Sequence, residues 1–372
     1  MINAPDNIKD FTELNPWWRT DVPTEISCSA NGVGDFLTKL DGEKKTPFFV
    51  VDEILTDQNA FAPIFEERRK FLFNATKSEP KTGDVDSLVE LIKRDYPKTD
   101  VVAGIGGGAT MDLAKAAAIC LANNKPAQFY QGYSMEMNKG ADIWVLPTIA
   151  GTGAEVTPIA VLRGPEKKLG INHPCTAADV AVIDPQLTKR VKKFNRFFTM
   201  MDCYFHHYEI TMSHTSAEDA KLDSVDGLRM AKDVLEQDLS EYRLDLAIKS
   251  AMTSVLGGSS SIGGRVGASH AISYGLSNSS PTLPHSVAVT IAMLAMEDLY
   301  PEGCSDTVRY LKINGIQAPT AREYGIGNDQ LERMTKTALG MEKLWASYWG
   351  GGWQEKTTPE FISGIYRKIL AA

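Results

Sequence analysis

The sequence predicts an α/β domain built on a parallel, doubly wound sheet, followed by an all-helical domain. Three observations carry this reading. Four apolar runs in the first half each end in Gly, Pro or Asp, amphipathic stretches separate the first three runs, and from about residue 188 onward no convincing strand appears. The expected strands are TPFFVVDE (46–53), TDVVAGIGGG (99–108), ADIWVLPT (141–148) and ADVAVIDP (178–185). Between them, DVDSLVELIKRDY (84–96) and ATMDLAKAAAICLA (109–122) carry helical periodicity. Past Pro185 the chain offers long periodic stretches instead, notably 226–256 and HSVAVTIAMLAMEDLY (285–300). At 372 residues the chain exceeds what one hydrophobic core usually holds, so the expected division is an α/β domain over 1–185 and a helical domain over 186–372. The aromatic segment WASYWGGGW (345–353) reads as packing around a glycine turn.

Composition narrows the partners. Hydrophobic residues make up 43% and charged residues 23%, ordinary for a soluble globular protein. A formal net charge of −8 leaves no surplus of Lys and Arg to neutralise phosphates, which argues against nucleic acid and anionic membranes. No apolar run approaches the roughly 20 residues of a membrane span. The opening MINAPDNIKDF has neither the basic nor the apolar region of a signal peptide. The five cysteines (Cys28, Cys120, Cys175, Cys203, Cys304) are odd in number, scattered and without a CxxC pair. That pattern suits reduced thiols and a cytoplasmic location rather than disulfides or structural zinc.

Two glycine loops point to a nucleotide. VVAGIGGGATMDLAKAAA (101–118) runs from strand through Gly106, Gly107 and Gly108 directly into a helix. Consecutive glycines let the backbone approach a ligand, and the N–H groups of a first helical turn favour an anion. Ala109, Asp112 and Lys115 follow within the first two turns; a tight strand–helix turn without a ligand would have the same composition. The second loop, LPTIAGTGAEVT (146–157), also follows a strand and carries hydroxyls at Thr148, Thr152 and Thr157. Both loops would face the carboxyl edge of the sheet, where open α/β sheets bind dinucleotides. Asp52 closes its own strand at that edge. Its carboxylate can accept from an adenosine ribose and would repel a 2′-phosphate, favouring NAD, although it can also simply cap the following turn.

The histidines are the other concentration of chemistry. In MDCYFHHYE (201–209), Asp202 and His206 are four apart and project from one helix face. His207 lies roughly 100° further around and cannot share their site. GRVGASHAISYGLSNSSPTLPHSVAV (264–289) adds His270 on a small-residue stretch and His285 where a new helix begins. One carboxylate and three imidazoles make a four-ligand set suited to Zn²⁺ or Fe²⁺.

Taken in order, GGGATMDLAK, PTIAGTGAEVT, VIDPQLT, MDCYFHHYE, GASHA and PHSVAV resemble the iron-containing (group III) alcohol dehydrogenases, whose corresponding stretches read GGGSxxDxAK, TTAGTGSE, DPxLT, DxxxHAxE, LGxxHA and PHGxxNA. The resemblance covers residues from about 30 to 300. It implies a Rossmann-like N-terminal domain, a helical C-terminal domain and a divalent metal in the cleft between them, the architecture shared with dehydroquinate synthase. It places the metal on Asp202, His206, His270 and His285. It places NAD against Asp52, Gly107, Gly108, Ala109, Asp112, Thr148, Thr152, Thr157 and Lys168; Lys168 also reads as a solvated strand-edge lysine. The implied reaction oxidises an alcohol with hydride transfer to NAD, and the implied assembly is a homodimer.

The departures from the family pattern bear on the substrate. The family serine of GGGS is Ala109, PHG becomes PHS with Ser286, and a histidine found in many members four residues after the third ligand is Tyr274. Tyr274 is therefore the candidate proton relay. Arg196, Arg265, Asn278 and Ser279 are polar groups that would suit a polyhydroxylated acid. The site sequence looks like the branch that oxidises the C8 hydroxyl of 3-deoxy-D-manno-octulosonate (Kdo) for 8-amino-Kdo and lipopolysaccharide synthesis, an activity also describable as an oxidase. The competing readings are a dehydroquinate-synthase-like or glycerol-phosphate dehydrogenase-like enzyme, and a non-catalytic NAD-binding protein. The first would need basic residues converging on a phosphate, and the 264–289 stretch offers only Arg265.

Overall fold

The computed structural model describes residues 2–14, 22–77 and 79–372. They form two compact units. One comprises Ala4–Val191 with Arg243–Ala251; the other comprises Lys192–Tyr242 and Met252–Ala372 with the N-terminal residues up to Asn3.

The first unit is the α/β unit. Its strands are β1 (Glu25–Cys28), β2 (Pro47–Asp52), β3 (Lys70–Phe73), β4 (Val101–Gly106), β5 (Gly132–Tyr133), β6 (Asp142–Pro147), β7 (Ile159–Arg163), β8 (Lys168–Asn172) and β9 (Val180–Ile183). Six of them make one parallel sheet in the order β1-β9-β6-β4-β2-β3. The register runs Val101 to Gly106 against Asp142 to Pro147, and Pro47 to Val51 against Val101 to Ile105. β2 and β4 are buried along their whole length, which is why their sequences are unbroken apolar runs without alternation. The main helices of this unit are α1 (Gly32–Gly42), α2 (Thr82–Asp95) and α3 (Gly108–Cys120). Phe36 of α1 packs edge-on against Trp144 of β6 at 5.9 Å within the core.

From β2 the chain steps outward to β3, then returns past β2 to β4 and continues toward β6, so the winding direction reverses between β2 and β4. Open α/β sheets bind their ligands outside the carboxyl ends of such a pair. β1 and β3, the sheet edges, are strands the sequence did not announce: EISC and KFLF are four residues each and only partly buried. A second sheet, in the order β5-β8-β7, was also not foreseen; its β7 alternates part-buried and buried residues, and β7 and β8 are antiparallel.

The second unit is helical, and no strand occurs in it among the described residues. Its longer helices are α4 (Lys193–Met212), α5 (Glu218–Leu235), α6 (Leu244–Gly263, whose first turns group with the α/β unit), α7 (Ala268–Ser279), α8 (His285–Leu294), α9 (Pro301–Ile313), α10 (Leu331–Leu339), α11 (Glu342–Trp349) and α12 (Pro359–Ala371). The periodic stretch 226–256 is thus two helices, α5 and α6, not one. Asn314 takes up the break between them, its Oδ1 accepting the Leu239 N–H at 3.0 Å. In the aromatic segment Trp345 is fully buried and donates to the Ala338 carbonyl at 2.8 Å, beside a turn with Gly350 and Gly352 at positive φ. No helix among the described residues is long and apolar enough to cross a membrane, and all five cysteines are free thiols.

Candidate active site

The carboxyl ends of β2 and β4 bring the first candidates together. Gly106 has φ +155°, and a Cβ there would lie 2.8 Å from Thr110 Cβ and 2.9 Å from Asp52 Cβ, so glycine is required where β4 turns into α3. A Cβ on Gly107 would come within 2.9 Å of Ile149, and one on Gly108 within 3.0 Å of Thr152 Oγ1. The two glycine loops therefore lie against each other. Thr148 ties them by donating its N–H to the Gly106 carbonyl at 3.0 Å. Gly107, Gly108 and Ala109 stay partly exposed at the head of α3, the helix end whose N–H groups favour an anion.

Other predicted cofactor residues are engaged inside the unit. Asp52 caps the short turn Glu53–Leu55, accepting the Ile54 N–H at 3.3 Å, and burial raises its carboxyl pKa. Lys115 is completely buried; its Nζ donates to the carbonyls of Ala154 (2.7 Å), Thr157 (2.8 Å) and Ile159 (2.8 Å) and lies 3.3 Å from Thr157 Oγ1. Burial pushes this ammonium down to about 8 against the pull of Asp112 and Glu155. Asp112 accepts the Val161 N–H at 3.0 Å, and burial pushes its carboxyl up to about 6. Lys168 is not a solvated strand-edge residue: it is buried and paired with Glu79, whose other oxygen takes Arg163 at 2.6 Å. The structure thus gathers Asp52, Gly107, Gly108, Ala109, Thr148 and Thr152, while Asp112, Thr157 and Lys168 serve bonds within the framework.

The helical unit gathers the second set. Asp202 and His206 sit one turn apart on α4, His270 is in the first turn of α7, and His285 opens α8. One ligand atom from each of Asp202, His206 and His270 lies within 4.8 Å of the others. The rings of His206 and His270 stack at 4.9 Å, and His285 adjoins the trio with its ring 5.7 Å from that of His270. Asp202 Oδ1 and His270 Nε2 face each other at 3.7 Å, both buried and both without a hydrogen-bond partner. Two buried polar atoms without a hydrogen-bond partner are costly, and a cation between them removes both costs. The oxygen-and-nitrogen donor set fits Fe²⁺ or Zn²⁺.

The electrostatics agree. Burial opposes the charge on Asp202, yet His206, His285 and His270 outweigh it and hold the carboxyl well below its usual range. Burial also opposes a proton on His270, but Glu209 and Asp202 raise it to about 9. Burial lowers His206. An imidazole flanked by two buried carboxylates is a place for positive charge.

Glu209 is the residue that sequence reasoning passed over. It stands three residues after His206 and seven after Asp202, hence on the same face of α4. Its Oε2 meets His270 Nδ1 at 2.5 Å, and its Oε1 accepts the Ser269 N–H at 2.8 Å. The signal was present as the last letter of MDCYFHHYE. His207 is separate, as its place on the helix predicted: fully buried, with Nε2 3.0 Å from the Thr253 carbonyl. Tyr274 lies beside the cluster, its ring 6.1 Å from that of His285. Three of the polar groups expected to greet a substrate are used locally. Arg196 donates to the Leu239 carbonyl at 2.9 Å, Asn278 to the Tyr274 carbonyl at 2.9 Å, and Ser279 to the Gly275 carbonyl at 2.9 Å.

Comparison with known proteins places the sequence. The profile of the iron-containing alcohol dehydrogenase family matches residues 23–185. That match covers somewhat under half of the chain and lies within the α/β unit. Long-chain-alcohol dehydrogenase 1 of Geobacillus thermodenitrificans is 32% identical over 187 residues, 48% of this chain and 46% of that protein. This match therefore spans about half the length of that relative. Choline dehydrogenase of Bacillus subtilis is 24% identical over 362 residues, 86% of this chain and 88% of that protein. Sulfoacetaldehyde reductase of Bifidobacterium kashiwanohense, solved in complex with NAD⁺, superposes with a TM-score of 0.80 at 19% identity, covering 95% of this chain and 99% of that one. That likeness carries the fold alone, an α/β unit followed by helices.

Proposed function

We propose that this chain oxidises an alcohol to an aldehyde or ketone with hydride transfer to NAD, using Fe²⁺ or Zn²⁺ held by Asp202, His206, His270 and His285. The observation that carries the proposal is the facing pair of orphaned atoms, Asp202 Oδ1 and His270 Nε2, beside His206. When bound, the metal supplies a Lewis acid for the substrate hydroxyl and NAD supplies the hydride acceptor. The protein's own part is placement. Gly107, Gly108 and Ala109 offer the head of α3 to the pyrophosphate, with Thr148 and Thr152 alongside. Asp52 serves the adenosine ribose and disfavours a 2′-phosphate, which selects NAD over NADP. Tyr274 passes a proton onward rather than abstracting one, because a phenol is a poor base at neutral pH. The deciding experiment is His270→Ala: bound metal and alcohol-dependent NADH formation should both disappear, and survival of both would refute the proposal.

At finer grain we propose the C8 hydroxyl of Kdo as the substrate. Its support is the set of departures at Ala109, Tyr274 and Ser286; Arg196, Asn278 and Ser279 lend it nothing, since their side chains are spent on local carbonyls. NADH formation across a panel of sugar acids and simple alcohols tests it, and turnover of simple alcohols alone would exclude it. The same reading makes the protein a cytoplasmic homodimer, and sedimentation as a monomer would remove that part.

A further inference from the structure

The bond from Glu209 to His270 is one link of a longer chain. Glu209 is 2% exposed and sits at the N-terminus of α7, the helix that carries His270. Tyr300, 1% exposed, places its hydroxyl in the same spot: it accepts the Ala268 N–H at 2.9 Å and bonds to Glu209. A Cβ on Gly267 would meet the Tyr300 hydroxyl at 2.5 Å and Glu209 Oε1 at 3.3 Å, so the backbone closes tightly over this contact. The Tyr300 ring is wedged between Tyr348, at 4.9 Å, and Tyr208, at 5.8 Å, which fixes where its hydroxyl can go.

We propose that Tyr300 and Glu209 are positioning residues that lock His270 with Nδ1–H on Glu209 and Nε2 turned toward Asp202, and that this lock sets the affinity for metal. The physical reason lies in the two ring nitrogens. An imidazole can turn about its bonds or carry its proton on either nitrogen, and only one of those states presents the Nε2 lone pair beside Asp202 Oδ1. Glu209 accepts the Nδ1 proton. The Ser269 N–H occupies the other carboxylate oxygen, and Tyr300 bonds to the same carboxylate, which together stop it rotating. Three elements are thereby tied at one point: α4 through Glu209, the start of α7 through Ala268, Ser269 and His270, and the residue preceding α9 through Tyr300.

This inference rests on the metal-dependent reading, and the test separates the two. Zinc and Co²⁺ affinities of the full-length protein, stripped with chelator, are measured by competition titration for the native sequence, Tyr300→Phe and Glu209→Gln. If the native protein binds neither metal, the metal-dependent reading itself fails. If it binds, Glu209→Gln should lose about 10- to 100-fold in affinity, the range for groups behind a ligand histidine, and Tyr300→Phe should lose roughly 10-fold. Both should shift the visible Co²⁺ bands. Native affinity and an unchanged Co²⁺ spectrum in both variants would overturn the inference. Should either variant fail to fold, the zinc-loaded native protein decides by long-range ¹H–¹⁵N NMR. His270 with Nδ1 protonated and Nε2 on zinc supports the lock, and the reverse arrangement refutes it.

Discussion

His207 fills the space that Gly227 leaves by having no side chain: a Cβ at residue 227 would lie 2.0 Å from His207 Cε1. Gly227→Ala must push the ring off its bond to Thr253, and overpacking of this kind costs about 1–3 kcal/mol. Urea denaturation should therefore show a loss of about 3 kcal/mol, and an unchanged midpoint would mean the ring is not seated there. Asp112 supports a prediction of a different kind. Its carboxyl is raised from 3.8 to about 6, so between those values the folded chain holds a proton that the unfolded chain has released. Its contribution to stability consequently declines as pH rises through that window and is level above it. Asp112→Asn keeps an acceptor for the Val161 N–H and lacks the titration. The stability difference between native and variant, followed by urea denaturation from pH 4 to 7, should fall toward pH 6; a rise or a flat line would contradict the raised carboxyl.

Elements show what a sequence can and cannot announce. β2, β4, β6 and β9 were legible because strands buried in a parallel sheet read as unbroken apolar runs. β1 and β3 were not, because short edge strands are half-polar, and the β5-β8-β7 sheet hides in a stretch of glycines, lysines and prolines. On α4 the one-turn spacing revealed Asp202 and His206, and the hundred-degree offset separated His207. Glu209 shared that face but had no meaning until α7 arrived beside it, and Tyr300 lies too far along the chain for any local pattern to include it. Thr157, in a loop, and Lys168, at the start of β8, were placed at a cofactor by resemblance to the family, whereas their partners, Lys115 and Glu79, come from other segments. Lys115 holds the second glycine loop and the start of β7 to α3 by three carbonyl bonds. Lys115→Met would leave three buried carbonyls unpaired at about 1–3 kcal/mol each. The expected result is a loss of roughly 3–5 kcal/mol in denaturant stability together with a raised KM for NAD. A variant with native stability would show that those carbonyls find other donors.

For the whole molecule, each compact unit has its own residues for one of the two proposed ligands. Metal bound to the folded state alone should stabilise it by about 2.7 kcal/mol at 100 times Kd. In amide hydrogen exchange the metal should protect α4 and α7, and NAD the loops at 106–109 and 148–152. Protection by metal confined to the glycine loops would contradict the assignment of Asp202, His206 and His270. Lys115 adds a consequence outside binding and catalysis. An amine with no exposed surface is beyond the reach of an acylating reagent, so its modification in the native protein must wait for the strand–helix turn to come apart. Mass-spectrometric labelling of this one side chain therefore clocks the opening of the nucleotide loops, and saturating NAD should slow that clock.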